Sequence, residues 1–101
     1  MQYVRIAKYT INKGTFQEIA DVARTGLLPT FQKQTGFLRY WLADMGEKIC
    51  LSFSIWSTRE DALAAETVAT KWVGENLGDK VMLRSSHVGS LAFFEGVPAT
   101  V

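Results

Sequence analysis

The strongest constraint on this chain is the order in which strand-like and helix-like patterns follow one another. Apolar and polar residues alternate over residues 2–10, as in a strand with one covered face. A helical pattern follows, then strand-like stretches at 37–43 and 48–56, a second helical pattern and a last strand-like stretch at 87–95. The order β-α-β-β-α-β within 101 residues predicts one domain with a single core, spanning residues 1–101.

Both helical patterns begin with the spacing of a capping box, in which a hydroxyl side chain and an acidic side chain three residues later satisfy free backbone groups. Thr15 and Glu18 have this spacing at the first helix, and Ser57 and Glu60 have it at the second. The apolar faces that follow consist of Phe16, Ile19, Ala20, Ala23 and Leu27 in the first helix and Ala62, Ala65, Ala69, Trp72 and Val73 in the second.

Two stretches interrupt these patterns. Gly26 and Pro29 predict a kink or break in the first helix before Phe31. After the second helix, residues 79–86 are expected to form a loop with a short turn at 81–83.

The segment Asp44-Met45-Gly46-Glu47 predicts the tip of a β-hairpin. A two-residue turn at Met45 and Gly46 fixes the register of the two flanking strands, and side chains of paired residues share a face. This register places the pairs Leu42/Ile49, Tyr40/Leu51 and Leu38/Phe53 on one face and Trp41/Cys50, Arg39/Ser52 and Phe37/Ser54 on the other.

Two helices and four strands in this order predict an α+β fold, a ferredoxin-like βαββαβ sandwich with a four-stranded antiparallel sheet. Because such crossovers are right-handed, both helices cover the same sheet face. The other face would expose Phe37, Trp41 and Trp56 together with Cys50. An aromatic patch of this kind marks an interaction surface, and twofold dimers are the commonest soluble oligomers. We therefore expect a homodimer that closes into an α+β barrel.

Charge and cysteine content exclude several classes of function. Eleven basic and ten acidic residues leave a net charge of +1, without the basic surface that nucleic acids or anionic membranes attract. A single cysteine, Cys50, cannot form a disulfide within the chain, which favours a cytoplasmic location. The apolar run at 49–56 is much shorter than a membrane-spanning helix. No phosphate-binding glycine loop or metal-ligand pair occurs, so no cofactor or metal is expected.

A set of short features extends over residues 3–94. It comprises Leu28-Pro29 followed by Gly36-Phe37, the hairpin, Ser54-Ile55-Trp56-Ser57 leading into Glu60-Asp61-Ala62, and a helix that carries Trp72. Together these features resemble the antibiotic biosynthesis monooxygenase-like (ABM) family of the dimeric α+β barrel superfamily. The resemblance implies a homodimeric barrel with a pocket between the sheet and the helices.

The same resemblance implies a cofactor-independent monooxygenase acting on a small aromatic or apolar molecule. In that family oxygenation depends on an oxidisable substrate anion, so the protein supplies a dry pocket, orientation and proton acceptance. The haem-degrading branch fits poorly, because Ala7, Ala64 and Gly74 stand where it has its asparagine, tryptophan and iron-ligating histidine. Two alternatives stay open: a non-catalytic ligand-binding or stress-linked accessory protein, and a barrel isomerase or dehydratase.

His87 is the candidate catalytic base, because histidine is the residue type that ordinarily exchanges protons near neutral pH and the chain has one. Its parity with Leu91 and Phe93 predicts that it faces the space between sheet and helices. The alternative is a strand-end histidine bonded to the backbone or to solvent.

Four further side chains are candidates for substrate binding. Trp56 and Trp72 offer flat apolar walls, and Tyr40 offers a hydroxyl that can orient a ligand. Asn76 can bind a carbonyl. The alternatives are core filling for Trp72, packing at the dimer face for Trp56 and helix capping for Asn76.

Overall fold

The computed structural model describes residues 1–95, and within them strands and helices follow the predicted order. The sheet runs β2-β3-β1-β4 with every neighbouring pair antiparallel, and the helices cover one of its faces, as a ferredoxin-like α+β sandwich requires. The strands are β1 (Tyr3–Ile11), β2 (Phe37–Asp44), β3 (Ile49–Trp56) and β4 (Val81–Ser90). The helices are α1 (Phe16–Val22), α2 (Leu28–Gln32) and α3 (Arg59–Leu77), and a π-helical segment, Ala23–Leu27, joins α1 to α2.

The first predicted helix cap is confirmed and the second is wrong by one residue. The Thr15 hydroxyl accepts a hydrogen bond from the backbone N–H of Glu18 at 3.2 Å. At α3 the cap is Thr58, whose hydroxyl accepts from the backbone N–H of Asp61 at 3.1 Å. Ser57 lies one residue before the cap, and its backbone N–H donates to the carbonyl oxygen of Gly36 at 2.8 Å, which keeps it beside the sheet.

The predicted interruption of the first helix is confirmed. The π-helical segment contains Gly26, whose carbonyl oxygen accepts a hydrogen bond from the Thr30 hydroxyl at 2.8 Å. Pro29 lies in the first turn of α2, where a residue without a backbone N–H costs the helix little. The wider π turn therefore lets the chain continue as α2 instead of breaking.

The predicted register of the β2–β3 hairpin is wrong by three residues. Leu42 lies opposite Ser52, not opposite Ile49. The connection is longer than a two-residue turn, because Gly46, Glu47 and Lys48 all adopt positive φ angles of 77°, 53° and 62°. An odd shift turns β3 over relative to β2, so each of its side chains lies on the opposite face from the one predicted.

This shift changes which residues lie on each side of the sheet. Cys50 and Trp56 were expected on the face away from the helices, and both lie on the helix side instead. Phe37 of β2 was expected there too and also lies on the helix side, because the β2–β3 pairing has an irregularity between Phe37 and Arg39. Trp41 lies on the face away from the helices, as predicted, and stacks on Phe53 with ring centroids 5.1 Å apart. We call this side the open face; it carries Val4, Ile6, Trp41, Leu51, Phe53 and Ile55.

The last strand begins earlier than predicted. β4 includes residues 81–86, which were expected in a loop, and it ends at Ser90 instead of continuing to residue 95. β4 pairs with β1 from Ile11↔Val81 to Tyr3↔Ser90. One further bond, from the Leu91 N–H to the Gln2 carbonyl oxygen at 2.8 Å, follows the last pair. The segment that follows β4 brings the ring of Phe94 to 5.5 Å from the Arg39 guanidinium on β2.

Candidate functional site

Four aromatic rings form the core under α2 and the start of α3. Phe31 meets Tyr40 and Trp56 edge to face, with ring centroids 5.1 and 5.2 Å apart, and Phe37 lies 5.4 Å from Trp56. Trp56 is fully buried, and its Nε1 donates a hydrogen bond to the Ser54 hydroxyl at 2.9 Å. Trp56 is therefore a core residue, and its predicted placement at a dimer face is wrong.

A small cavity lies between the sheet and the helices. Its volume is about 20 Å³, enough for one water molecule and too small for an aromatic ligand. Its polar atoms come from Tyr9, Tyr40, Cys50 and Ser52, and the remaining wall is apolar. The full lining is Tyr9, Ile19, Ala23, Leu27, Tyr40, Leu42, Cys50, Ser52, Trp72, Val73, Leu77 and Val81.

A larger groove of about 340 Å³ opens between the first helix and β2. Ala23, Tyr40 and Leu42 line both the groove and the small cavity. These side chains therefore form the wall between the two spaces. The groove is lined by Phe16, Gln17, Ala20, Asp21, Ala23, Arg24, Leu28, Tyr40, Trp41 and Leu42.

Burial keeps two ionisable groups of this region neutral. It raises the pKa of the Tyr40 phenol well above its ordinary value, with a smaller contribution from nearby Tyr9. Burial, together with the carboxylate of Asp44, raises the pKa of the Cys50 thiol to about 11. Both groups are therefore protonated at physiological pH, and neither can act as a general base.

Arg5 is an unusual residue in this layer. It lies on β1 on the helix side of the sheet, and only 1% of its surface is exposed. Its Nε and Nη2 atoms are buried and have no hydrogen-bond partner within residues 1–95. Buried arginines are normally paired, so the unpartnered nitrogens call for an explanation.

The structure brings two of the predicted binding residues together. Tyr40 and Trp72 both line the small cavity, whereas Asn76 is exposed near the end of α3. The Asn76 side-chain amide donates a hydrogen bond to the carbonyl oxygen of Trp72 at 2.9 Å, within the last turns of the helix, and the C-cap residue is Gly78. The groove itself remains a candidate site around Tyr40.

The predicted orientation of His87 is wrong. His87 pairs with Ile6 of β1 and is exposed on the open face, across the sheet from the groove. The prediction failed because the last strand was placed at residues 87–95, whereas β4 is Val81–Ser90. Leu91 and Phe93, from which the orientation of His87 was inferred, therefore lie outside the strand. The structure therefore separates His87 from Tyr40 and Trp72.

Arg5, Tyr9 and Ser52 are site residues that sequence reasoning missed. A signal for Arg5 was available, because the alternation along the first strand gives it the same parity as Ala7 and Tyr9, which are buried. Ser52 was missed because the hairpin register assigned it to the other face.

No protein-family model matches the sequence, and no curated protein matches it. Solved structures do resemble it. SnoaB, a cofactor-independent oxygenase from Streptomyces nogalater, superposes with a TM-score of 0.71 at 11% identity over 97% of this chain and 98% of SnoaB. A proposed antibiotic biosynthesis monooxygenase from Nitrosomonas europaea gives 0.68 at 18% identity over 94% of each chain. One from Chloroflexus aurantiacus gives 0.66 at 16% identity over 95% of this chain and 98% of the other.

These structures share the fold of this chain from end to end. The protein therefore has the α+β fold of the ABM-type monooxygenases, as its sequence features predicted. At such low identity the likeness establishes the fold and leaves the reaction to be argued from the site.

Two further features concern the part of the chain that the structure describes. None of its helices is long and apolar enough to cross a bilayer. Over the same residues, no three histidine, cysteine, aspartate or glutamate side chains come together as a metal site would require.

Proposed function

We propose that this protein binds a small, flat aromatic molecule in the groove beside Tyr40 and oxygenates it without a cofactor. The observation that carries the proposal is the groove itself. Its volume of about 340 Å³ matches a small ligand, and Phe16, Leu28 and Leu42 give it apolar walls beside the polar side chains of its rim, Gln17, Asp21 and Arg24. Rotation of Tyr40 would join the groove to the small cavity and extend the pocket towards the middle of the sheet.

The oxygenase part of the proposal rests on the fold shared with SnoaB and on what this reaction asks of a protein. An activated methylene carbon of the substrate gives up two hydrogens and takes one oxygen atom, and the second oxygen atom leaves as water. The substrate supplies all four electrons that reduce O2 to the carbonyl oxygen and water, so no external reductant is needed. The protein contributes positioning and a site with little water.

A second candidate is binding without turnover. It is favoured by the neutral walls, because Tyr40 and Cys50 both have raised pKa values and cannot accept a proton from a bound phenol. Proton shuttling by His87, as an isomerase or dehydratase would use, is not part of the proposal because that side chain lies across the sheet.

The proposal includes a homodimer formed through the open face. β3 supports it: Ile49, Leu51 and Phe53 point away from the helices and are partly exposed, while Cys50, Ser52 and Ser54 point towards the helices. Ile55 also points away but is already buried, and Trp56 fills the helix side at the end of the strand. A strand with its large apolar side chains on the uncovered face leaves an apolar surface to cover. A second copy of the same sheet would cover it, and the same arrangement leaves space inside, where the side chains are small.

Titration with 1-naphthol followed by tryptophan fluorescence tests the groove. We expect saturable quenching in the wild type and at least about tenfold weaker binding in Ala20→Trp, which fills the groove. The matched control is Ala64→Trp on the exposed side of α3, with wild-type affinity.

Oxygen uptake, measured with an oxygen electrode, then separates oxygenation from binding without turnover. The compounds tested are 1-naphthol and substrates of the anthrone type, which have an activated methylene carbon. Oxygen uptake by the wild type and by Ala64→Trp that is lost in Ala20→Trp supports the oxygenase. Binding without uptake supports the ligand-binding alternative. Equal affinity of the two tryptophan variants would overturn the assignment of the groove.

A further inference from the structure

Arg5 lies inside the layer between the sheet and α3, where a charge without a partner is costly. Taking a guanidinium out of water is unfavourable unless a carboxylate or several acceptors replace the lost hydration. Ser54 of β3 and Val88 of β4 flank Arg5 on the two neighbouring strands, so no carboxylate lies beside it in the sheet. The α3 residues buried over the sheet are small, Ala62, Ala65 and Ala69.

The acidic residues of the described chain leave Arg5 without an ion-pair partner. Within residues 1–95 the one ion pair joins Lys13 to Asp79 at 3.9 Å on the surface. Asp61 and Glu66 are the partly buried acids of α3. The Asp61 carboxylate lies against Gly36, and Glu66 accepts a hydrogen bond from the Ser86 hydroxyl at 2.6 Å. The charge of Arg5 is therefore not neutralised by its own described chain.

The two unpartnered nitrogens belong to one edge of the guanidinium. The N–H groups of Nε and Nη2 point in the same direction, and this pair forms two parallel hydrogen bonds with a carboxylate. A single water molecule cannot provide two such charged acceptors. The free edge therefore matches an anionic group in shape as well as in charge.

The row of residues across the sheet connects Arg5 to the groove. Tyr40 pairs with Ser54, and Ser54 pairs with Arg5, so the three lie side by side on the helix face. With strands about 4.8 Å apart, the backbones at Tyr40 and Arg5 are separated by roughly 10 Å, close to the length of a two-ring aromatic acid. Ser54 stands between them, and its hydroxyl accepts a hydrogen bond from Trp56 Nε1 at 2.9 Å. Ser52, in the next row, is small and lines the small cavity together with Tyr40, so the room beside Tyr40 lies over Ser52.

We propose that the free edge of Arg5 receives the carboxylate of an aromatic carboxylic acid that enters past Tyr40. This inference rests on the proposed groove and names the class of molecule that the groove takes. The ring system lies between the Tyr40 wall and the serine side chains of β3. The carboxylate supplies the two acceptors and the negative charge that the buried guanidinium lacks.

The test compares 2-naphthoate with 2-naphthamide, which have similar shape and differ in charge. The wild type is expected to bind the carboxylate at least about tenfold more tightly than the amide, measured by calorimetry at pH 7. Arg5→Met removes that preference. Arg5→Lys keeps the positive charge but lacks the paired N–H groups of the guanidinium, so it retains part of the preference for the carboxylate. Arg59→Met, at the exposed start of α3, is the matched control and behaves as the wild type.

Stability without ligand gives an independent readout. Replacing an unpaired buried charge by an apolar side chain raises the urea midpoint of Arg5→Met above that of the wild type. An arginine that holds the fold together would give the opposite shift, and that result would overturn the proposal.

The possible results distinguish a failure of the role proposed for Arg5 from a failure of the groove as the ligand site. Equal binding of the two probes to the wild type overturns the role of Arg5 and leaves the groove in place. A carboxylate preference that survives in Arg5→Met also overturns the role of Arg5. Failure of both probes and of 1-naphthol to bind overturns the groove and this inference together.

Discussion

Gly26 lies in the π-helical segment directly under the indole of Trp72. A Cβ atom at this position would overlap Cζ2 of Trp72, so Gly26→Ala forces the helix or the ring to move. We expect a loss of about 1–3 kcal/mol in the free energy of unfolding, measured by urea denaturation. Gly74 of α3 is the control: its added Cβ would meet nothing within 4 Å, and Gly74→Ala should stabilise the protein by about 0.5–1 kcal/mol. Shifts of the same sign would show that Trp72 does not pack on Gly26.

Cys50 is predicted to react slowly with thiol reagents in the folded protein. Its pKa of about 11 leaves about one thiol in a thousand ionised at pH 8, and the thiolate is the reactive form. The rate of labelling by a disulfide reagent should rise about tenfold for each pH unit between 8 and 10 while the protein stays folded. The same reagent in concentrated urea should label Cys50 rapidly at pH 8. Rapid labelling of the folded protein at pH 8 would contradict the burial of this side chain.

At the start of α3 the structure and the sequence prediction differ in the residue that caps the helix. Thr58→Ala removes the hydroxyl that caps the Asp61 N–H and should cost about 1 kcal/mol of stability. Ser57→Ala should change stability by less than about 0.5 kcal/mol, because only the backbone of Ser57 is bonded. Chemical denaturation of both variants measures the difference. A larger loss of stability in Ser57→Ala than in Thr58→Ala would show that Ser57 is the cap, as the sequence spacing predicted.

The elements themselves were predictable because their signals are local, whereas the register of β3 was not. Alternation marks Ile49, Leu51 and Phe53 as one apolar side, and apolar sides normally pack under helices. Here that side points away from the helices, because the three positive φ angles at residues 46–48 make the turn longer than two residues. Residue propensities do not predict the length of this turn. The same error hid Ser52 as a neighbour of Tyr40, and the late start predicted for the last strand turned His87 to the wrong face.

At the scale of the whole molecule, one strand divides the protein into two different spaces. The small side chains of β3 leave depth between sheet and helices, and its large side chains form the surface on the other side. Both properties come from one alternating sequence, so the small cavity, which Cys50 and Ser52 line, and the proposed dimer share one strand. A change in the open face should therefore alter assembly while the helix side keeps its packing.

Ile6 tests this separation, because it lies near the middle of the open face and is 37% exposed in the single chain. Ile6→Lys should preserve the fold and place a charge inside the proposed interface, which shifts the protein from dimer to monomer. Leu63→Lys is the control, since Leu63 is similarly exposed, at 41%, on α3. Sedimentation equilibrium at low micromolar concentration should show a dimer for the wild type and Leu63→Lys and a monomer for Ile6→Lys. A folded wild-type monomer at these concentrations would refute the dimer, and the apolar side of β3 would then need another cover.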